Sequence, residues 1–321
     1  MASLLVVRAG LQTTVQDLGR WGFQSCGVPV AGAMDRGAHR LANALSGNEP
    51  GTATLEVTLS GPELVFEDER HVAVTGADFE VTVDGAAMPM NARVPVSAGG
   101  CLRLGHRRRG ARAYVAVSGG IDVPPVFGSR ATHMGSGMGG FRGRALAAGD
   151  RLPLGVARGG GLSRDGVDVL RDEISTLVRL PREGHRLRVV VGPDEDRFTP
   201  AATETLRSAS YVVGPESGRM AYRLDGPGLS HASGADILSE ATVAGAIQVP
   251  GSGAPLLLMA DRQTTGGYAR IAAVISADLD LAGQLAPGDT VAFEICSLRD
   301  ALGALVARER ALLSIETRAV R

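Results

Sequence analysis

The chain of 321 residues is 44% hydrophobic, enough for two domains with cores of their own, and its formal charge of −1 gives no electrostatic reason for a nucleic-acid or anionic-membrane partner. All 33 residues in the Lys+Arg total are arginine, because the sequence contains no lysine. That excludes a Walker-A phosphate loop, pyridoxal phosphate or other Schiff-base chemistry, and biotin attached covalently to this chain.

Aromatic residues are scarce at 4% and glycines number 44, so the chain turns often and packs Val, Leu, Ala and Ile, a composition that favours many short strands. The first element in chain order is a strand from Leu4 to Arg8, too short and too poorly flanked for a signal peptide. No stretch approaches ~20 apolar residues, and a cytoplasmic, non-membrane protein is expected. A polar loop from Gln12 to Gly22 follows. Ala38, Leu41, Ala42 and Leu45 recur at helical spacing from about Met34, with Gly47-Asn48 as the stop.

Short strands then run at Leu55–Leu59, Glu63–Phe66, Val72–Thr75 and Phe79–Val83, each bounded by Gly, Pro or Asp. They continue at Leu102–Leu104 and Ala113–Val117, the pattern of an antiparallel barrel or sandwich. Arg107-Arg108-Arg109 reads as a solvated turn. The glycine-rich run Gly135–Gly143 lacks the lysine and strand-to-helix context of a phosphate loop and reads as a mobile loop. Cys26, Cys101 and Cys296 are odd in number and without metal-ligand spacing, so they read as packing residues.

Around 158–184 the character changes to glycines, a short helical stretch near Val167–Leu180, and Pro181. This predicts a first β-rich domain over 1–157, a linker over 158–184, and a second β-rich domain over 185–321. The second half opens with Leu187–Val191 and continues with strands near Val243–Val249, Pro255–Ala260, Ile271–Ile275 and Thr290–Ile295, then a terminal helix from about Leu298 to Ser314. Leu146-Ala-Ala-Gly-Asp-Arg-Leu152 is echoed by Leu285-Ala-Pro-Gly-Asp-Thr-Val291, a hint of duplication.

The most informative stretch is Asp261-Arg-Gln-Thr-Thr-Gly-Gly-Tyr268, an octet of polar residues and glycine between two apolar runs. It supplies a carboxylate, a guanidinium, an amide, hydroxyls and a phenol where a two-residue turn would suffice. Other polar clusters hold Arg219, Tyr222 and Arg223, then Glu240, then Gln248 in the second half. Gln16, Asp17, Arg20, Asp35, Asn43, Asn48 and Glu56 lie in the first.

Thr14–Arg20, Gly32–Asp35, Ala42-Asn43 with Gly47-Asn48, Thr75–Ala77, Ser118–Ile121, Gly245–Pro250 and Asp261–Tyr268 together resemble the biotin-dependent carboxyltransferase family, also named after allophanate hydrolase subunit 2. The resemblance implies a mainly β chain of two cyclophilin-like antiparallel β-barrel domains with a few helices, and a partner from the subunit 1 family. One departure stands out, Gly218, where relatives carry an aspartate.

Three roles are open under this resemblance. In the first, the chain takes part in the ATP-dependent opening of 5-oxoproline to glutamate with two partners, a 5-oxoprolinase B-like protein and an A subunit of LamB/YcsF type. ATP and Mg²⁺ then belong to the site or to the partner proteins. Arg219, Arg223 and Arg262 would hold a carboxylate or phosphate, with Tyr222, Gln263, Thr264 and Thr265 lining the site. Glu240 or Asp261 would place a metal or act as base, with Tyr268 and Gln248 as hydrogen-bond donors. The seven polar residues of the first half form a possible second cluster. In the second role, carboxybiotin on a separate carrier gives its carboxyl group to a urea-like amide. In the third, the protein antagonises an inhibitor of a sensor kinase without catalysis.

Overall fold

Buried positions alternate along some of the segments that the sequence marks as strands, such as Leu4–Arg8 and Glu63–Phe66, and run continuously through others, such as Leu55–Thr58 and Ala113–Val117. The computed structural model describes residues 2–157, 159–162, 164–182 and 185–319, which fall into two units. The first unit comprises residues up to Arg20, Ala31–Leu180 and the end of the chain from Arg308. The second comprises Trp21–Val30 and Pro181–Ala307.

In the first unit, nine strands make one curled sheet: β1 (Ser3–Arg8), β2 (Gln12–Gln16), β3 (Thr54–Thr58), β4 (Glu63–Phe66), β5 (Arg70–Val83), β6 (Ala86–Ala87), β7 (Arg93–Val96), β8 (Cys101–Val117) and β9 (Arg151–Pro153). The main path runs β2-β3-β8-β4-β1-β9, and β5 pairs with β6, β7 and β8. Leu4, Val6, Leu55, Val57, Leu64, Phe66, Val72, Val74, Leu102 and Val115 fill its core. Helix α1 (Arg36–Ser46) lies on this sheet, capped at its start by Asp35, whose Oδ1 accepts from the Ala38 N–H at 2.8 Å.

Three sequence expectations change here. The strands expected at 72–75 and 79–83 are one 14-residue strand, β5, whose register slips at three places between Gly76 and Val81 and so hides its continuity. The arginine triplet is not a turn. Arg107 and Arg109 face Phe79 and Asp78 across the β5–β8 ladder. The expected polar loop starts as strand β2, because its Thr and Gln side chains are buried against polar partners.

Residues 158–184, expected as a linker, carry helices α2 (Arg164–Val169) and α3 (Arg171–Leu177); Arg158, Ser163, Glu183 and Gly184 lie outside the described residues. Leu162, Leu170, Ile174 and Leu177 pack with Leu41 and Leu45 of α1, and with Leu312 and Ile315 near the chain end. That apolar burial is why the segment folds onto the first unit.

The second unit is a closed seven-stranded barrel in the order β10-β17-β14-β15-β12-β11-β18. Its strands are β10 (Arg186–Val191), β11 (Ser210–Val213), β12 (Ala221–Asp225), β14 (Ala246–Gln248), β15 (Leu256–Leu258), β17 (Arg270–Val274) and β18 (Thr290–Ile295). All neighbours are antiparallel except β10 and β18, which close the barrel in parallel. Strands β13 (Asp236–Ala241) and β16 (Thr265–Tyr268) form a separate two-stranded ribbon. The second half of the octet is therefore strand, not loop.

Helix α4 (Pro200–Ser208), unmarked by the sequence reading, starts with Thr199 as cap and Pro200 in its first turn. Helix α5 (Leu279–Gly283) is a single turn. Helix α6 (Leu298–Ala319) ends the described chain, and its first-unit part carries Glu309 and Glu316, both bonded to Arg40 of α1. Among the described residues no helix is long and apolar enough to cross a membrane.

The echoed heptads fold alike. Ala147 N–H donates to Asp150 Oδ2 at 2.7 Å, and Ala286 N–H to Asp289 Oδ2 at 2.8 Å. Val6 N–H reaches the Asp150 carbonyl and Val213 N–H the Asp289 carbonyl, each at 2.9 Å. Gly149 and Gly288 carry these turns at φ of 88° and 89°.

Candidate functional site

In the second unit, alternation along β12 puts Tyr222 and Leu224 inside the barrel and Arg223 outside. Arg223 is exposed and bonds Glu216 at 3.0 Å. Just before the strand, Arg219 is buried, and its guanidinium meets Asp261 in a fork, Nε to Oδ2 at 3.0 Å and Nη2 to Oδ1 at 2.8 Å. The Asp261 N–H also donates to the Arg219 carbonyl at 2.8 Å. Both side chains expected to work on a ligand are thus already turned on each other.

Arg262, next in sequence, is in another position. It is 9% exposed, and its sole side-chain hydrogen bond among the described residues is Nη1 to the Met259 carbonyl at 3.5 Å. Its Nε is buried without a partner. Burial pulls its pKa below the usual guanidinium value, although it stays protonated at neutral pH.

Gln248 lies buried at the end of β14. Its Nε2 donates to the Tyr268 carbonyl at 3.4 Å, and its Oε1 accepts from Gln263 Nε2 at 3.5 Å, both at the weak limit of a hydrogen bond. A Cβ on Gly266 would stand 2.7 Å from Gln248 Nε2 and 3.2 Å from Gln263 Nε2, so both amide nitrogens converge on that bare backbone. The Thr242 hydroxyl donates to the Gln263 carbonyl, and the Thr242 N–H to that of Thr264. Gln263, Thr265 and the Tyr268 ring remain exposed beside them.

Glu240, on β13 opposite Gly266, is held by Arg270 Nη2 at 2.6 Å. The same guanidinium binds Asp194 at 2.7 Å, and Arg270 sits opposite Gln248 in the β14–β17 ladder. Burial pushes the Asp194 carboxyl up, but the Arg270 hydrogen bonds outweigh it and leave the group below the usual carboxylate range. The expected residues therefore separate into a closed Arg219–Asp261 fork, a Gln248–Gln263 amide pair with Thr242, and a Glu240–Arg270–Asp194 chain. The sequence reading missed Arg270 and Thr242. Arg270 opens an apolar strand without any local mark in the sequence.

Among the described residues no three His, Cys, Asp or Glu side chains gather to hold a metal ion. The carboxylates of this unit that were expected to do so, Glu240 and Asp261, are each occupied by an arginine, so the set does not fit Mg²⁺.

In the first unit, Glu56, Asp35, Asp17, Gln16, Arg20 and Asn43 are all buried, and Asn48 is partly so. Glu56 Oε2 accepts from the Tyr114 hydroxyl at 2.7 Å and the Met34 N–H at 2.9 Å, and Oε1 lies 3.8 Å from Arg112 Nε. The Tyr114 oxygen in turn accepts from the Asp35 N–H at 2.7 Å. Burial, then the charges of Glu56 and Asp35, raise the Tyr114 pKa well above its ordinary value.

Asp17 accepts from the Ser129 hydroxyl and from the N–H groups of Gly19 and Arg130. Arg20 binds the carbonyls of Val126 and Ala131, and Gln16 Nε2 reaches the Thr132 carbonyl at 3.0 Å. Asn43 binds the Thr52 carbonyl and Asn48 spans Asn43, Val117 and Gly119. His39 and Tyr114 were missed because α1 and β8 present them among apolar positions, and Ser129 and Thr132 because they sit in the loop after β8. These bonds tie loops to the sheet, as structural polar networks do.

Residues 26–295 match the family model of a carboxyltransferase domain, subdomains A and B. The chain belongs to this carboxyltransferase family. It is 40% identical to the C subunit of 5-oxoprolinase from Escherichia coli over 96% of both chains. It is 35% identical to the C subunit of 5-oxoprolinase from Haemophilus influenzae over 94% of this chain and 93% of that one. The crystal structure of Kluyveromyces lactis urea carboxylase matches 99% of this chain at 31% identity and a TM-score of 0.89, but this chain spans only 30% of that one.

Proposed function

We propose that the chain is the C subunit of an ATP-dependent 5-oxoprolinase, acting with a B-like protein of the subunit 1 family and a LamB/YcsF-type A subunit in the cytoplasm. The observation that carries this reading is the end-to-end match to two relatives that bear the name of the 5-oxoprolinase C subunit. The urea carboxylase match, in contrast, covers a minor part of a longer chain.

A lactam is a poor electrophile. Phosphorylation of its carbonyl oxygen by ATP, with release of ADP, activates the carbon. Water then adds, the ring C–N bond breaks as its nitrogen takes a proton, and the acyl phosphate left behind is hydrolysed to glutamate and phosphate. We assign ATP and Mg²⁺ to the partner proteins, because this chain has no lysine for a phosphate loop and no fitting carboxylate cluster among its described residues. The contribution of this chain is then to bind and orient 5-oxoproline at the octet, with the Gln248 and Gln263 amides as donors and the Tyr268 phenol at the rim.

Co-expression with the two partner types, followed by ATP hydrolysis and glutamate release on 5-oxoproline, tests this. Activity that needs all three chains is expected. Equal activity without this chain overturns the reading.

A second reading is supported by the urea carboxylase likeness over nearly the whole chain. It is carboxyl transfer from carboxybiotin to a urea-like amide, with biotin carried in trans because no lysine is present. Capture of a biotinylated carrier, with bicarbonate-derived label passed to urea, would favour it over the first.

A further inference from the structure

The outer face of the first unit carries a hollow of about 360 Å³, lined by Arg8, Ser60, Glu80, Thr82, Arg103 and His106. Strand register sets these groups side by side. Arg8 of β1 faces Glu63 of β4, Glu63 faces Arg103 of β8, and Arg103 faces Thr82 of β5. Beyond that row Val81 faces Leu104 while Phe79 faces Arg107, so Glu80 stands opposite two residues, Gly105 and His106. Such a bulge re-aims the side chains around it. Ser60 enters from the corner between β3 and β4, where Leu59 holds a left-handed φ of 59° and the N–H groups of Leu59 and Ser60 bond the carbonyls of Ala111 and Thr58. Backbone held in so rare a conformation clusters at binding sites.

Among the described residues the side chains of Arg103, His106, Ser60 and Thr82 have no hydrogen bond or ion pair, and Arg8 has only a 3.4 Å contact from Nη2 to the Leu104 carbonyl. Two carboxylates lie near them. Glu63 does not line the hollow; it turns along β4 and accepts from Cys101 Sγ at 3.7 Å. Glu80 has Oε1 3.3 Å from Arg108 Nη2 in an exposed pair, and its Oε2 would stand 3.8 Å from a Cβ on Gly105. Arg8, Arg103 and Arg108 against Glu63 and Glu80 leave one positive charge in excess.

We infer that this hollow binds an acidic amino acid, with its two carboxylates on Arg8 and Arg103 and its ammonium on Glu80. Two guanidiniums and one carboxylate around the space complement a ligand with two carboxylates and one ammonium, and the net charges of wall and ligand are opposite. The Ser60 and Thr82 hydroxyls supply further donors to the carboxylates. The volume falls within the range of about 300–1,000 Å³ usual for small-molecule sites. The assignment uses residues of the first unit alone and does not rest on the 5-oxoprolinase reading. Under that reading, the ligand class includes the reaction's product, glutamate.

The test is calorimetric binding to the full-length chain, with glutamate, glutamine, glutarate and inorganic phosphate as separate titrants. We expect glutamate to bind, and glutamine, which lacks one carboxylate, and glutarate, which lacks the ammonium, to bind at least tenfold more weakly. R8Q and R103Q should each weaken glutamate at least tenfold, whereas E80Q should weaken glutamate and leave glutarate unchanged. All three side chains are exposed, so these variants should melt with the wild type. Y268F, in the second unit, should bind glutamate as the wild type does. No binding of glutamate, wild-type affinity in R103Q, or phosphate bound as tightly as glutamate overturns the inference. Glutamate binding lost in Y268F but kept in R103Q also overturns it, and leaves the 5-oxoprolinase reading standing.

Discussion

Arg219 and Asp261 grip each other twice over, once side chain to side chain and once through the Asp261 N–H and the Arg219 carbonyl, joining the start of β12 to the end of β15. Removing one partner leaves a buried charge alone, at a cost of about 3–5 kcal/mol. D261A should therefore unfold at much lower denaturant, and R219M/D261M should recover a large part of the loss. A double-mutant cycle in urea measures the coupling, and additive losses would contradict it.

His39 is fully buried in the first unit, with Nδ1 2.9 Å from the Thr54 hydroxyl and Nε2 3.1 Å from the Pro50 carbonyl. Since a carbonyl only accepts, Nε2 carries the proton and Nδ1 accepts from Thr54. Burial lowers the His39 pKa from 6.5 to about 4. The unfolded chain thus binds the extra proton first as pH falls. The stabilising contribution is complete above about pH 6.5 and shrinks down to about pH 4, by roughly 3 kcal/mol in total. Urea melts of wild type and H39Q across that range should show the slope in the first and a flatter profile in the second.

Tyr114 joins Glu56 to the Asp35 backbone. Y114F keeps the ring and removes the oxygen, leaving a buried carboxylate oxygen and a buried N–H short of one partner each. A loss of about 1–3 kcal/mol is expected. An unchanged melting temperature would show that the network has another way to satisfy both groups.

At Gly149 and Gly288 an added Cβ would meet nothing within 4 Å, yet φ is positive at both. The cost of alanine there is torsional alone, about 1–2 kcal/mol. G149A and G288A should be destabilised by similar amounts in separate unfolding measurements. A large difference between them would mean that the two turns are not equivalent.

Much of the fold was legible because it rests on local signals. The period Ala38, Leu41, Ala42 and Leu45 marked α1, Gly47-Asn48 its end, and the repeated Gly-Asp turns hinted at two related β units. What stayed hidden depended on partners distant in sequence. Gln12–Gln16 is polar in sequence but buried as a strand, and the bulges around Gly76–Val81 broke one strand into apparent pieces. For the site, the octet and Gln248 were visible as polar intrusions into apolar sequence. Their division of labour was not, because residue type alone cannot show that Arg219 is saturated while Arg262 is not.

The matched aspartate turns also bear on how such a chain can be altered. Each latches an early strand of its unit, at Val6 or Val213, to the turn before the last strand through the same pair of backbone and carboxylate bonds. Ala147-Ala-Gly-Asp150 and Ala286-Pro-Gly-Asp289 are thus interchangeable fasteners, and transplanting either tetrapeptide into the other position should leave both units' closing strands in register.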